Sequence, residues 1–355
     1  MTVNVSVKLT HAYASSKKTT EVGAVLFINP ENKVTISNVH YFIIIDNSPS
    51  MLKEGKLQKA IEAANELAKT IPQNNFILIG TFSNDLEILY QGDTGKEISV
   101  NVKEHGYTTY LFRAMNKIIE LAETSNKPTV VFLITDGEPT DKRNPKDYEK
   151  LKKPKNLRII TIGVGRKYNE KILGKISSKF NGVMYNVNQI DDVKQIFKQY
   201  AKKEAGGYNA ELEAPKEFIP LNFSSPITIP VLDRDYTIYG LLDVPAGKDP
   251  YVTTFKLYYD DPVTNDRIAT TVNVKLERTS DNNLINSTIN ENLMDLIKYY
   301  RLLNEVLDKE ISGKEATRVL NEINELTKKL SSKTIDVKDS KELMSEVTRK
   351  LKNED

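Results

Sequence analysis

The run Tyr41-Phe42-Ile43-Ile44-Ile45 is apolar on every residue and ends abruptly in Asp46-Asn47-Ser48-Pro49-Ser50. A strand with one wet face alternates apolar and polar residues. A continuous apolar run must be buried on both faces, and sheets covered on both faces are built from parallel strands joined by helices. The residues that follow keep to that plan. Leu57, Ala60, Ile61, Ala64, Leu67, Ala68 and Ile71 recur at helical spacing, and Phe76 to Phe82 reads as the next strand with Leu86 to Tyr90 beside it. Leu111 to Ala122 reads as a helix, Thr129 to Ile134 and Leu157 to Val164 as two more buried strands, Val183 to Val187 as a short last one, and 191–203 as a helix. Residues 39–203 are therefore expected to form a doubly wound α/β unit.

The flanks differ in character. In residues 1–38, Val3 to Leu9 alternates and Val22 to Ile28 is strand-like, with a turn expected over Asn29-Pro30-Glu31-Asn32. Residues 208–279 hold short alternating runs at Ile227 to Val231, Tyr236 to Val244, Thr253 to Tyr259 and Ile268 to Leu276, separated by turns such as the one at Ala246 to Pro250. The simplest pairing puts the two N-terminal strands with these, so that the α/β unit is inserted in a β-sandwich. Residues 286–355 read as a C-terminal helical region. Capping boxes are expected at Thr288 to Glu291 and Ser312 to Glu315, and a third short helix around Leu343, Met344, Val347 and Leu351.

In an open α/β sheet, ligands bind beyond the carboxyl ends of the strands, where strand order reverses. Three hydroxyl- and carboxylate-bearing loops are expected there. Asp46, Ser48 and Ser50 alternate directly after the first buried strand, and Asp136 follows the second in Thr135-Asp136-Gly137. Between them lies Gly106-Tyr107-Thr108-Thr109-Tyr110-Leu111, at the start of a helix. Oxygen donors without His or Cys favour a hard divalent cation, Mg²⁺ or Mn²⁺. The plainer alternative is that these are ordinary turn and cap residues satisfying backbone N–H groups.

Taken in order, Asp46-x-Ser48-x-Ser50, a threonine and Asp136-Gly137 closely resemble the metal-ion-dependent adhesion site (MIDAS) of von Willebrand factor A domains. Thr109 fits the middle position through Thr109-x-Leu111-x-x-Ala114, with Thr108 as the alternative. His105-Gly106-Tyr107 departs from the usual glycine pair. The resemblance implies a Rossmann-like domain that binds partners and is no enzyme. It also implies a metal held by Asp46, Ser48, Ser50, Thr109 and Asp136 that accepts an acidic side chain from the partner. Asp85 resembles a family loop residue near the site but reads more simply as a turn residue. Gly163-Val164-Gly165 reads as the end of a strand. His11, His40 and His105 lack metal-ligand spacing, and Lys142-Arg143 and Lys152-Lys153 read as solvated surface.

Composition narrows the class. Lys+Arg total 50 and Asp+Glu 48, and the resulting net charge of +2 gives no reason to expect nucleic acid or an anionic membrane as the main partner. With no cysteine there are no disulfides, thiolate metal sites or cysteine catalysis. No signal peptide or bilayer-spanning run is evident, so a cytoplasmic location is expected. An interrupted sandwich, an A domain and C-terminal helices together resemble coat proteins of the Sec23/Sec24 type, whose zinc finger a Cys-free chain cannot form. Length, order and thermophile-like usage of Lys, Glu and Ile also resemble the ArnB-type regulators of archaellum expression in Sulfolobales. That resemblance implies an archaeal phosphoprotein that acts with a forkhead-associated-domain partner, ArnA, and is a substrate of Ser/Thr protein kinases. Ser331, Ser332 and Thr334 are expected in an exposed loop between two helices and are the candidate phosphorylation sites. A different class, an accessory A-domain subunit of an AAA+ chaperone or metal chelatase, fits the same A-domain motif. An Mg²⁺-dependent hydrolase fits poorly, because no general base or nucleophile pair accompanies the metal residues.

Overall fold

The computed structural model describes residues 3–94, 98, 100–102, 105–165, 167–200, 204–308 and 313–332. The chain opens with β1 (Val3–Leu9), β2 (Tyr13–Ser15), β3 (Thr20–Pro30) and β4 (Val34–Thr35). Alternation then begins with β5 (His40–Asp46), α1 (Pro49–Leu52), α2 (Lys56–Thr70), β6 (Phe76–Phe82), β7 (Leu86–Asp93) and α3 (Leu111–Ser125). It continues through β8 (Thr129–Thr135), α4 (Pro145–Glu149), β9 (Leu157–Val164), α5 (Glu170–Lys179), β10 (Met184–Val187) and α6 (Val193–Tyr200). The strands β11 (Glu204–Ala205), β12 (Tyr208–Glu213), β13 (Phe218–Pro220), β14 (Ile227–Val231), β15 (Tyr236–Val244), β16 (Tyr251–Asp260) and β17 (Arg267–Thr279) follow. Three helices close the described chain: α7 (Asn282–Ser287), α8 (Glu291–Asp308) and α9 (Gly313–Ser332).

The central sheet has the order β10-β9-β8-β5-β6-β7, parallel throughout except for the antiparallel edge strand β7. Its apolar runs divide by parity, as period-two side chains must. Tyr41, Ile43 and Ile45 pack under α2 and α6, while Phe42 and Ile44 pack under α3 and α5. The crossovers from β5 lead to β6 on one side, and the later strands build outward from β8 on the other. Strand order therefore reverses between β5 and β8, and the crevice lies beyond their carboxyl ends.

Two further sheets, β1-β3-β15-β13 and β14-β12-β16-β17-β2, share one apolar core that includes Leu26, Ile238, Leu212 and Phe255. Val3 to Leu9 pairs with β3, and β3 pairs along its length with β15, both antiparallel, so neither N-terminal strand enters the parallel sheet. The helix α8 lies on the outer side of β3 and β15, where Ile297 meets Val25 and Leu241 and Tyr300 stacks on Tyr239 at 3.9 Å. The helix α9 packs against α8 through Val319, Ile323 and Leu330.

Several sequence expectations are corrected. The expected turn at Asn29 to Asn32 begins later, because β3 runs on through Pro30 as the partner of Val3. Thr288 does not cap α8. Its hydroxyl donates to the carbonyls of Leu284 and Ile285 at the end of α7, and Asn290 instead accepts from the Leu293 N–H. Ser331 and Ser332 are the last residues of α9 and not an interhelical loop, with Ser331 exposed. Thr334, Ser312 and the third helix expected around Leu343 lie outside the described residues. Lys153 is not solvated surface. Its ammonium donates to Ser224 O at 2.9 Å, Ser224 Oγ at 2.7 Å and Pro226 O at 2.8 Å, tying the α/β unit to the loop before β14. Burial, with Lys179 nearby, pushes its pKa down to about 7.

Candidate metal site at the carboxyl edge of the parallel sheet

The strand β5 delivers Asp46 at its last position, fully buried and in register with Phe82 of β6, and Thr135 ends the neighbouring strand β8. Asp46 Oδ2 accepts from Thr135 Oγ1 at 2.5 Å, and Asp46 Oδ1 accepts from the Ser48 N–H at 2.8 Å. Burial pushes the Asp46 pKa up to about 6, while the bonds from Thr135 and Ser48 oppose that rise. Ser48 and Ser50 stand with their hydroxyls 3.0 Å apart, and Ser50 Oγ donates to Asp136 Oδ1 at 2.6 Å. The other carboxylate oxygen of Asp136 is held by Lys56 Nζ at 2.8 Å.

The middle loop is seated by its backbone. Gly106 N–H donates to Asn47 O at 3.1 Å, and Tyr110 N–H donates to Ser83 O at 2.8 Å. A Cβ on Gly106 would lie 1.8 Å from Ser83 Oγ, so only glycine allows this approach. Thr109 is locked to the loop after β8, its N–H donating to Thr140 Oγ1 and its carbonyl accepting from Thr140 N–H, both at 2.9 Å. Thr109 is buried, whereas Thr108 turns its hydroxyl to Asn84 Oδ1 at 2.5 Å, away from the cluster.

Oxygens of the first and middle loops meet at Gly137 of the third. A Cβ placed there would lie 3.6 Å from Ser50 Oγ and 3.9 Å from both Asp46 Oδ2 and Thr109 Oγ1. These are ordinary contact distances, so the Ser50, Asp46 and Thr109 oxygens gather around the Gly137 backbone. The structure thus brings Asp46, Ser48, Ser50, Thr109 and Asp136 together, with Ser48 joined through Ser50. Among the described residues, no three His, Cys, Asp or Glu side chains gather as a metal group. The donor set is two carboxylates and three hydroxyls, which fits a hard divalent cation. Two contributors were not legible in the sequence. Thr135 reads as part of the loop after the second buried strand, without a role, and Lys56, at the start of an amphipathic helix, carries no local signal. Asp85 makes an exposed ion pair with Arg113 at 2.7 Å, and His105 Nδ1 lies 3.3 Å from Asn47 Oδ1 on the flank of the site.

The doubly wound sheet, its switch point and these three loops define an A domain, and the model of the von Willebrand factor type A domain matches residues 42–199. The chain belongs to the von Willebrand factor type A domain family. It is similar over its whole length to the ArnB paralog VWA2 from Sulfolobus acidocaldarius, with 34% identity, a TM-score of 0.89, and coverage of 99% of this chain and 98% of that one. A von Willebrand factor type A protein from Catenulispora acidiphila shares the fold at 14% identity and TM-score 0.67, covering 94% of this chain and 88% of that chain. The human COPII-coat protein Sec24c also shares the fold, at 11% identity and TM-score 0.53, covering 90% of this chain and 55% of that chain. No curated protein matches the chain. Among the described residues no helix is long and apolar enough to cross a membrane.

Proposed function

We propose that this chain is a non-enzymatic, cytoplasmic interaction scaffold in which Asp46, Ser48, Ser50, Thr109 and Asp136 hold Mg²⁺ or Mn²⁺ at the carboxyl edge of the α/β unit. The observation that supports this most is the convergence of three separate loops, with the Asp46, Ser50 and Thr109 oxygens around Gly137 and Ser50 bonded to Asp136. When bound, the cation supplies Lewis acidity toward an external carboxylate. The chain's own residues do the rest: Thr135 and the Ser48 N–H fix Asp46, Thr140 fixes Thr109, and Gly106 lets the middle loop close on Ser83. Membership of the A-domain family supports binding over hydrolysis.

In this reading residues 1–38 and 208–279 form a β-sandwich interrupted by the A domain at 39–203, with residues 286–355 as a helical region. The shared core of the two outer sheets and the pairing of β3 with β15 support it. The likeness to an ArnB paralog supports a regulatory role in archaellum expression, with a forkhead-associated-domain protein such as ArnA as partner and Ser/Thr kinases acting on the chain. Ser331 is exposed on the last turn of α9, while Thr334 lies beyond it. A phosphate at this end adds about two negative charges. The test is binding of the full chain to the forkhead-associated partner, unmodified and kinase-treated, with and without a divalent-metal chelator. Tighter binding after kinase treatment and weaker binding after chelation are expected. Equal affinity under all four conditions would contradict both parts.

A further inference from the structure

Lys56 is the cation already present in the cluster. Its ammonium is 2.8 Å from Asp136 Oδ2, its side chain is only 20% exposed, and Asp136 is 3% exposed. The other oxygen of Asp136 is occupied by Ser50, so both oxygens of that carboxylate have partners within the protein. The backbone is bent to put Lys56 there. Glu54 and Gly55 are consecutive left-handed residues, with φ of 58° and 66°, and they reverse the chain between α1 and α2 so that the first residue of α2 faces the end of β8. A Cβ on Gly55 would meet nothing within 4 Å, so the glycine serves the backbone angle and not a tight contact. Glu54, which has a side chain, takes the same left-handed conformation, and both residues of the bend lie exposed.

We propose that Lys56 is a resident counter-cation that competes with the divalent ion for Asp136, so that metal loads only as the Lys56 ammonium leaves. This rests on the reading of the cluster as a metal site. The reason is charge. Asp46, Asp136 and Lys56 together carry one net negative charge, and a divalent ion added beside the ammonium would turn that into one net positive charge in a half-buried pocket. With Lys56 withdrawn, the two carboxylates and the ion balance to zero. Like charges held close in a partly desolvated site repel strongly, so the balanced arrangement is favoured. A lysine is suited to the task because its charge is a point at the end of a flexible stem and can swing to water. The protein without metal is then held together by its own cation, and the metal-loaded form differs from it by a released lysine at the rim of the docking face.

The experiment is a calorimetric titration of Mn²⁺ into the full chain, its Lys56→Met and Lys56→Arg variants, and Asp46→Asn as the site control. Lys56→Met keeps the stem and removes the charge, and it should bind Mn²⁺ at least about tenfold more tightly than the unsubstituted chain. Lys56→Arg should stay close to the unsubstituted chain, and Asp46→Asn should lose binding. If Lys56→Met binds no more tightly while Asp46→Asn still abolishes binding, Lys56 is no competitor and the metal site stands. An arginine variant that binds as tightly as the methionine one excludes charge as the cause. No binding to either the unsubstituted chain or Lys56→Met overturns both readings. A second measurement needs no substitution: acylation of Lys56 by an amine reagent, mapped by mass spectrometry, should speed up severalfold when Mn²⁺ is saturating. An unchanged rate overturns the competition.

Discussion

At the residue scale, Asp46 carries the clearest electrostatic signature. It has no exposed surface, and burial lifts its pKa from the usual 3.8 to about 6. A carboxyl whose pKa is raised by folding contributes stability that is fully present below the unfolded value and is lost as pH rises through the folded one. In the metal-free protein this stabilisation therefore fades between about pH 4 and pH 6, by roughly 3 kcal/mol in total. Other carboxylates titrate in the same window, so the readout is the difference in urea unfolding free energy between the chain and its Asp46→Asn variant. That difference should shift against the unsubstituted chain as pH rises from 4 to 7; a flat difference would show that Asp46 is not strained by burial. Asp46, Ser48, Ser50 and Asp136 were legible in the sequence because each sits one step past an apolar run or within a fixed spacing from it. The residues that follow, Leu111 and Ala114, favour Thr109 over Thr108, and it is Thr109 that lies buried near Gly137 while Thr108 bonds to Asn84. Lys56 was invisible: a lysine in the first turn of a helix looks the same whether its ammonium faces water or a carboxylate.

At the element scale, the buried strands were read from sequence almost to the residue. Phe76–Phe82 and Leu157–Val164 fall on the expected bounds, because an apolar run bounded by polar turns has few alternatives. The helix α5 was missed. Its apolar set is only Ile172, Leu173 and Ile176 within ten residues that also hold Gly174 and two serines, so its periodicity is too short to declare itself. The short strands β2, β4, β11 and β13 exist only by pairing with distant partners, which no local pattern encodes. Docking of α8 was equally hidden. It depends on Gly23 in β3, where a Cβ would come within 2.6 Å of both Ile297 Cγ1 and Thr10 Cγ2. A Gly23→Leu substitution should push α8 from the sheet and cost about 1–3 kcal/mol, the usual range for overpacking. Hydrogen exchange should show faster exchange in α8 and α9 with the central sheet unchanged. Unchanged protection of α8 would mean that Gly23 does not set its approach.

At the scale of the whole molecule, the parallel sheet and the two outer sheets are stitched by specific polar contacts. Lys153 and Asn181 hold the 224–228 segment, and Ser37 N–H donates to the Tyr208 hydroxyl at 3.0 Å. These joints leave the carboxyl edge of the central sheet free to carry the site, since the switch point between β5 and β8 is where ligands of such sheets bind. The class of the α/β unit was legible because its strands are apolar on both faces. The way the N-terminal strands return to β15, more than two hundred residues away, rested on alternation and economy of pairing. The central claim is that the three converging loops hold a divalent cation, and calorimetric titration of Mn²⁺ into the full chain and its Asp46→Asn variant tests it most directly. The variant keeps an acceptor for Thr135, so circular dichroism should show an unchanged fold. Saturable binding of one ion to the chain and none to the variant is the expected result; equal binding to both, with both folded, would contradict the claim.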